Sequence, residues 1–416
     1  MTRHTTRVIF HTLLFIAACG LMAACGNKVS FDTNLLTKTK RIYEKAAKSQ
    51  KDGDYDKAKA LYDSLLHIHV TDTTTNDSLL PIVSKTITQI MNTMQSQGKP
   101  DECVEYLRKL KTDRNIMTGD MCQRDISVTL AYAISRTEDI DGAVKEMDQA
   151  MRMKPCNPSH DRLFRDYAYA CAVYFCNPER KDDVNRYGTM AIHEISQCEN
   201  KSGESWITAL LGMSYIRSGE LSNAINMFKQ SYANASNRHD TLSMANTLNL
   251  MANIMINWNL YDYANEYATK AVAMSGSVRD KNPKICSNIL ANKALVMEKF
   301  GYADSVQYYL KRAHEFTKNL PYNSGNSDID LIRGELLANN PSTRAKGLAI
   351  LNHVANNATS GIKTKAYYTL AKEYIAHAEI AKGEAALDST ISTLSINTSP
   401  ILVNNIYEYA LDYYVS

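Results

Sequence analysis

The sequence predicts an all-α chain folded as a right-handed superhelical solenoid of about nine helix-turn-helix repeats. Three observations predict it. First, a small residue returns at Ala58, Cys103, Ala143, Val184, Ala224, Ala264, Val306, Gly347 and Gly383, at steps of 36 to 45 residues and mostly 40 to 42. A fixed period of this size marks stacked units, each burying its apolar face only against its neighbours. Second, a small column runs twelve residues earlier, at Ala46, Ala131, Ala172, Gly212, Ala252, Ala294 and Ala371, broken at Met91 and Glu335. Third, turn signals fall between the columns: Gly53-Asp54, Gly98-Lys99-Pro100, Gly219-Glu220, Phe300-Gly301 and Asn340-Pro341. Gly permits the left-handed backbone that ends a helix, and Pro cannot continue one.

The second helix of each unit is periodic. Four and seven residues after the first column stand mainly apolar or small residues, such as Tyr62 and Leu65, Leu107 and Leu110, Met147 and Ala150, Leu310 and Ala313. Those offsets share one helix face. The small columns mark where two helices cross closely, since a larger side chain holds the axes apart.

These columns resemble the tetratricopeptide repeat. The best unit is Leu211-Gly212, Tyr215, Gly219-Glu220-Leu221, Ala224, Phe228, with departures at Thr208 and Ser231. Tyr367, Leu370-Ala371, Tyr374, Ile380 and Leu387 form another good unit. The unit at Ala58 has a clear turn and a poor first helix. The unit at Val184 is weakest, with Lys181 and Gly188 at apolar slots. The unit at Gly347 places Glu335 at a crowded position, which predicts a splayed pair. The period exceeds the roughly 34 residues usual for this repeat. The resemblance covers about residues 38–399 and implies a binding array, without naming what is bound.

Residues 1–24 read as a lipoprotein signal peptide. Arg3, His4 and Arg7 precede an apolar run from Val8 to Leu21, too short to span a bilayer with ease. Leu21-Met22-Ala23-Ala24-Cys25 resembles the bacterial lipobox, which makes Cys25 the lipid attachment site. Ile16-Ala17-Ala18-Cys19 fits the same pattern, but cleavage there leaves an apolar stub, whereas Cys25 leaves polar Gly26-Asn27-Lys28. An ordinary secretory signal is the alternative. Residues 25–37 then form a short tether, and several acyl chains on one Cys anchor firmly.

With 47 basic and 44 acidic residues the net charge is +3, so no broad field for nucleic acid exists. Thr37-Lys38-Thr39-Lys40-Arg41 is the one basic run near the anchor, read as a solvated helix face. Seven cysteines follow Cys25, an odd number without CxxC. Cys103, Cys171 and Cys286 read as core residues, and a Cys156–Cys198 bridge is open to an exported chain. No GxSxG, Walker-type, HExxH or GxGxxG motif occurs. His67 and His69 are a weak metal candidate. The expectation is a non-enzymatic protein with no catalytic residues, no cofactor and no metal.

One constellation stands out. Asn246, Asn249, Asn253 and Asn257 follow at steps of three, four and four, opposite the core positions Leu248, Met251, Ala252 and Met255. In tetratricopeptide arrays that face lines the concave groove. The unit before offers Trp206, Ala209, Met213, Ile216 and Arg217; the unit after offers Asn288, Ala291, Leu295 and Lys299, with Asn292 at the edge. An Asn amide both donates and accepts, which suits an extended peptide backbone. Trp206 and Met213 add apolar surface, and Arg217 and Lys299 suit a carboxylate. A solvated face is the plain alternative. Asn is a mediocre helix former, so four in one helix call for a reason.

Pro400 opens a last helical segment, residues 400–416, whose Tyr407, Ala410, Leu411 and Tyr414 mimic a first helix. It reads as a capping helix or as the start of a truncated repeat. The first expectation is a lipid-anchored scaffold in the cell envelope of a Gram-negative bacterium, facing the periplasm and holding a protein or peptide in its groove. The alternative is the periplasmic sensor portion of a membrane-bound kinase or transcription regulator, which such exported arrays also resemble.

Overall fold

The computed structural model describes residues 33–68, 73–113, 115, 122–137, 139–279, 282–318, 326–358, 360–394 and 400–415. The expected signal segment with Cys19 and Cys25 lies outside them. Among the described residues there are nineteen α-helices and no strand. Two compact units are formed, Met1–Thr93 with Leu110–Gln123, and Met94–Lys109 with Arg124–Ser416.

In the first unit, α1 (Thr33–Lys51) packs against α2 (Tyr55–Leu66), followed by α3 (Thr73–Ser96). Helix α1 starts at Thr33, inside the stretch expected to be tether. Ala46, Ala58 and Tyr62 are fully buried in this pair. Tyr62 packs on Tyr43 with ring centroids 5.7 Å apart, and its hydroxyl donates to Gln50 Oε1 at 3.1 Å.

After α4 (Pro100–Thr112), the second unit continues with α5 (Gln123–Ile134), α6 (Ile140–Arg152), α7 (His160–Phe175), α8 (Lys181–Ser196), α9 (Glu204–Arg217) and α10 (Leu221–Asn237). It ends with α11 (Thr241–Asn257), α12 (Tyr261–Ser275), α13 (Pro283–Lys299), α14 (Ala303–Thr317), α15 (Asn326–Ala338), α16 (Arg344–Asn357), α17 (Ser360–Ala376), α18 (Ile380–Ser392) and α19 (Pro400–Val415). From α7 to α18, each odd-numbered helix packs on the next, and the pairs stack in chain order. First helices of neighbouring pairs also touch, as in α11 on α13, α13 on α15 and α15 on α17. The fold is therefore an all-α helical repeat with the period expected.

All nine residues of the first small column are buried. The turns explain much of the regularity. Five residues before that column, Gly53, Gly98, Gly219, Asn259, Gly301 and Ala378 all have positive φ, between 57° and 81°. Each is followed by a residue whose N–H reaches back five positions, as Glu220 N–H does to the Tyr215 carbonyl (2.8 Å) and Glu379 N–H to that of Tyr374 (2.9 Å). This is the Schellman closure that satisfies the end of a first helix.

Two expectations about weak units are corrected. The Gly347 unit is not splayed, because the small residue at the crossing is Gly334, one position before Glu335. A Cβ on Gly334 would lie 2.8 Å from Leu351 Cγ, and one on Gly347 would overlap the backbone of Ala338. Glu335 turns aside instead, and Thr369 Oγ1 donates to its Oε1 at 3.0 Å. Likewise Cys171 is fully buried where Ala172 was expected, and Ala172 is half-buried. Gly188 is small because Leu211 of the next unit fills its slot, 2.5 Å from where a Cβ would stand. The departures in the best unit also have reasons. Ser231 is fully buried, donates to the Ser205 carbonyl at 2.8 Å and bonds Thr247 Oγ1 at 2.9 Å, tying α9, α10 and α11 together. Thr208 is buried and donates to the Glu204 carbonyl at 2.6 Å.

The seven described cysteines are free thiols, so the expected option of a Cys156–Cys198 bridge is not taken up. Burial pushes the thiol of Cys171 up to about 12. In α19, Ile406 and Ala410 are buried, while Tyr407, Leu411 and Tyr414 are exposed. The seams of that helix are held by Tyr409, 5.8 Å from Tyr368 in an edge-to-face pair, and by the Tyr413 hydroxyl, 3.0 Å from Glu384 Oε1. No described helix is long and apolar enough to cross a membrane.

Candidate peptide-binding face

Helices α9, α11 and α13 are the first helices of three consecutive pairs, and they carry the residues singled out in the sequence. Each begins with a plain local reason. Asp240 caps α11 by accepting from Ser243 N–H at 3.1 Å, and Asn282 caps α13 by accepting from Ile285 N–H at 3.0 Å, with Pro283 at the first helical position. The core side of α11 is the one expected, with Leu248, Met251, Ala252 and Met255 all buried.

The opposite side is less open than a solvated stripe. Asn249 is only 5% exposed and Asn292 only 6%. Asn292 Nδ2 donates to Asn249 Oδ1 at 2.8 Å, joining α11 to α13. The physical reason lies in the repeat. Asn249 belongs to a buried column with Val128, Ala168, Ala209, Ala291 and Leu331, where first helices of adjacent units meet. Asn249 is the polar member of that column, and Asn292 satisfies it. Ala209 and Ala291, expected on the groove face, are buried for the same reason.

Asn246, Asn253 and Asn288 are half-buried, and the Asn257 side chain lies outside the described residues. Asn288 Oδ1 is buried and has no hydrogen-bond donor among the described residues. Trp206 is 39% exposed, and Met213 is half-buried. Arg217, at the end of α9, stays exposed along one edge. Its guanidinium lies 3.6 Å from the Phe175 ring centroid and donates to the Phe175 carbonyl. Burial disfavours its charge, and no carboxylate of the described residues offsets that. Lys299 differs, because its Nζ pairs with Glu298 at 3.0 Å. Trp206, Met213, Arg217, Asn246, Asn253 and Asn288 thus stay exposed or half-buried on α9, α11 and α13, whereas Asn249 and Asn292 form a helix–helix contact.

Sequence reasoning missed a buried charge network between α5 and α7. Arg124 Nε lies 2.7 Å from Asp166 Oδ2, Arg162 lies 2.5 Å from Asp125 Oδ2, and Arg165 bridges both aspartates. Arg124 also donates to the Met153 carbonyl at 2.5 Å, and Arg162 to those of Cys156 and Asn157 at 2.5 and 2.9 Å. The network pins the α6–α7 connection to both helices. Burial raises the Asp125 carboxyl, but Arg165 and Arg162 outweigh that and hold it below the usual range. The signal was present as two Arg-Asp dipeptides, 124-125 and 165-166, one repeat apart.

Among the described residues no group of three or more His, Cys, Asp or Glu side chains is placed to hold a metal ion. His67 bonds the Asp63 carbonyl at 2.9 Å and Asp113 Oδ2 at 3.1 Å, and His69 lies outside the described residues.

Fold and face together define a tetratricopeptide-like helical-repeat protein. No protein-family model and no curated protein matches the sequence. Solved structures do match in fold. The apo form of the quorum sensor NprR from B. thuringiensis is similar with a TM-score of 0.53 at 13% identity, over 86% of this chain and 99% of that one. A Rap protein complexed with competence and sporulation factor matches with a TM-score of 0.54 at 10% identity, over 86% and 98%. A signal-transduction ATPase with a tetratricopeptide repeat sensor, from Pyrococcus horikoshii, matches with 0.56 at 10% identity, over 88% of this chain and 54% of that one. At such identities the likeness shows the fold alone.

Proposed function

We propose that this chain is a non-enzymatic binding scaffold that holds a protein or peptide along the first helices α9, α11 and α13. The observation that carries the reading is the company Trp206 keeps. An exposed Trp lies on α9 two turns before the half-buried Met213, and amides of the half-buried Asn246, Asn253 and Asn288 follow on the two helices stacked after it. Aromatic anchors with adaptable amides are what an extended peptide needs. The buried Asn288 oxygen without a donor adds to it, since such groups call for a partner.

The scaffold is further proposed to be lipid-anchored through Cys25 in a bacterial envelope. This rests on the lipobox-like Leu21–Cys25 segment alone. Incorporation of a palmitate analogue should disappear in Cys25→Ala and persist in Cys19→Ala; the opposite pattern contradicts the assignment.

The test of binding is capture of an envelope partner by cross-linking, compared with a Trp206→Ala/Asn253→Ala variant of unchanged helicity. Loss of capture is expected, and equal capture contradicts the reading. A second reading, the sensor part of a signalling regulator, draws support from the quorum sensor and the sensor-bearing ATPase among the similar folds. It uses the same face.

A further inference from the structure

Helix α1 concentrates charge that the rest of the chain spreads. It holds six basic residues, Lys38, Lys40, Arg41, Lys45, Lys48 and Lys51, and one acidic residue, Glu44. Six minus one is a net +5 in 19 residues, more than the +3 of the whole chain. All six basic residues are exposed, whereas Thr39, Ala46 and Ser49 of the same helix are buried. Lys38, Arg41, Lys45 and Lys48 follow at steps of three, four and three, which puts them on one face over about 15 Å.

None of the six stands in an ion pair among the described residues. Exposed lysines elsewhere are matched. Lys99 Nζ lies 3.7 Å from Glu102, Lys109 Nζ 2.6 Å from Glu105, Lys270 Nζ 2.6 Å from Glu266 and Lys382 Nζ 2.8 Å from Glu379. Like charges three and four residues apart weaken a helix. The stripe is therefore a cost to α1 that an outside anion removes. A straight row of long cationic side chains meets an extended anionic surface better than it meets a single carboxylate.

Its place in the chain points to the surface. Thr33, where α1 begins, is eight residues after Cys25, and eight extended residues reach at most about 29 Å. A lipid on Cys25 thus keeps α1 near the bilayer and raises its effective concentration there. Clusters of Lys and Arg beside an anchor are drawn to anionic headgroups, and a basic patch reinforces an acyl anchor.

We infer that the Lys38–Lys48 face of α1 docks on the anionic headgroups of the membrane that holds the anchor. The inference rests on the lipid-anchored reading above.

The full chain with Cys25→Ala, which carries no acyl group, is mixed at low salt with vesicles of phosphatidylcholine or of equal parts phosphatidylcholine and phosphatidylglycerol. Flotation reads the bound fraction. Lys38→Gln/Arg41→Gln/Lys45→Gln/Lys48→Gln is compared with a control of the same net charge, Lys145→Gln/Lys154→Gln/Lys229→Gln/Lys311→Gln, made at exposed lysines of the second unit. The stripe variant should lose roughly tenfold or more in partition onto the anionic vesicles and nothing onto the neutral ones, and the control about twofold or less. Far-UV circular dichroism should be unchanged in both, and molar salt should close the gap. A stripe variant that partitions like the control, or that loses equally on both lipids, overturns the inference. Stripe-dependent retention on heparin without a preference for anionic vesicles overturns it too, and gives the stripe to a soluble polyanion. Since the chain tested has no acyl group, a wrong attachment site shows in the palmitate labelling and leaves these results unchanged.

Discussion

Asn292 donates from Nδ2 to Asn249 Oδ1 at 2.8 Å, and both side chains are buried between two neighbouring first helices. A pair of this kind couples the two changes that would break it. Removing one partner strands a buried polar group, whereas removing both leaves none. Asn249→Ala should therefore lower stability by about 1–3 kcal/mol. The Asn249→Ala/Asn292→Ala double change should cost less than the sum of the singles. Urea unfolding of the four proteins in the cycle checks this, and strict additivity contradicts the coupling.

The Asp125 network predicts a pH dependence. Asp125 has its folded pKa below the usual value, because Arg165 and Arg162 outweigh its burial. Its contribution is therefore present above the unfolded value near 3.9 and is lost as pH falls through the folded value. Asp125→Asn should cost about 3–5 kcal/mol at neutral pH by leaving buried arginines uncompensated. Melting temperatures of the two proteins should converge only below about pH 4; a constant gap down to pH 2 speaks against the assignment.

Ala378 is in the left-handed region at φ 57°, where its counterparts in four other units are Gly. The Cβ is a penalty there of roughly 1–2 kcal/mol. Ala378→Gly should therefore raise stability, by about 0.5 kcal/mol or more after the entropy of Gly is subtracted. A lower melting temperature in this variant goes against the turn geometry.

Close helix crossing predicts opposite outcomes for two glycines. Gly347→Ala drives a Cβ into the Ala338 backbone, whereas a Cβ on Gly361 meets nothing within 4 Å. Gly347→Ala should destabilise by about 1–3 kcal/mol or more. Gly361→Ala, inside α17, should be neutral or stabilising by up to about 1 kcal/mol. Thermal melts of the two variants check the contrast.

Much of this fold was legible in the sequence because small residues at helix crossings tolerate little substitution. The nine buried members of the Ala58–Gly383 column are the clearest case. Gly turns at 53, 98, 219 and 301 were legible for the same reason, whereas Asn259 and Ala378 adopt the same φ without the residue that announces it. Register was less legible. The column spacing points to Glu335, but the residue in the crossing is Gly334, one position away. The face was half legible. Helical spacing put four Asn on one side of α11, but spacing within one helix does not reveal contact with the next. The neighbours of Asn249 one repeat away, Ala209 and Ala291, carried that information. The arginine–aspartate network was missed because its partners are about 40 residues apart and ordinary in isolation.

The central claim is that a peptide lies across α9, α11 and α13. Peptides selected from a random library on the immobilised chain supply the ligand, and hydrogen–deuterium exchange with and without it supplies the map. The account predicts slower exchange in residues 204–217, 241–257 and 283–299, with little change in 221–237 and 261–275. Protection confined to the second helices, or the same protection in Trp206→Ala/Asn253→Ala, would contradict it.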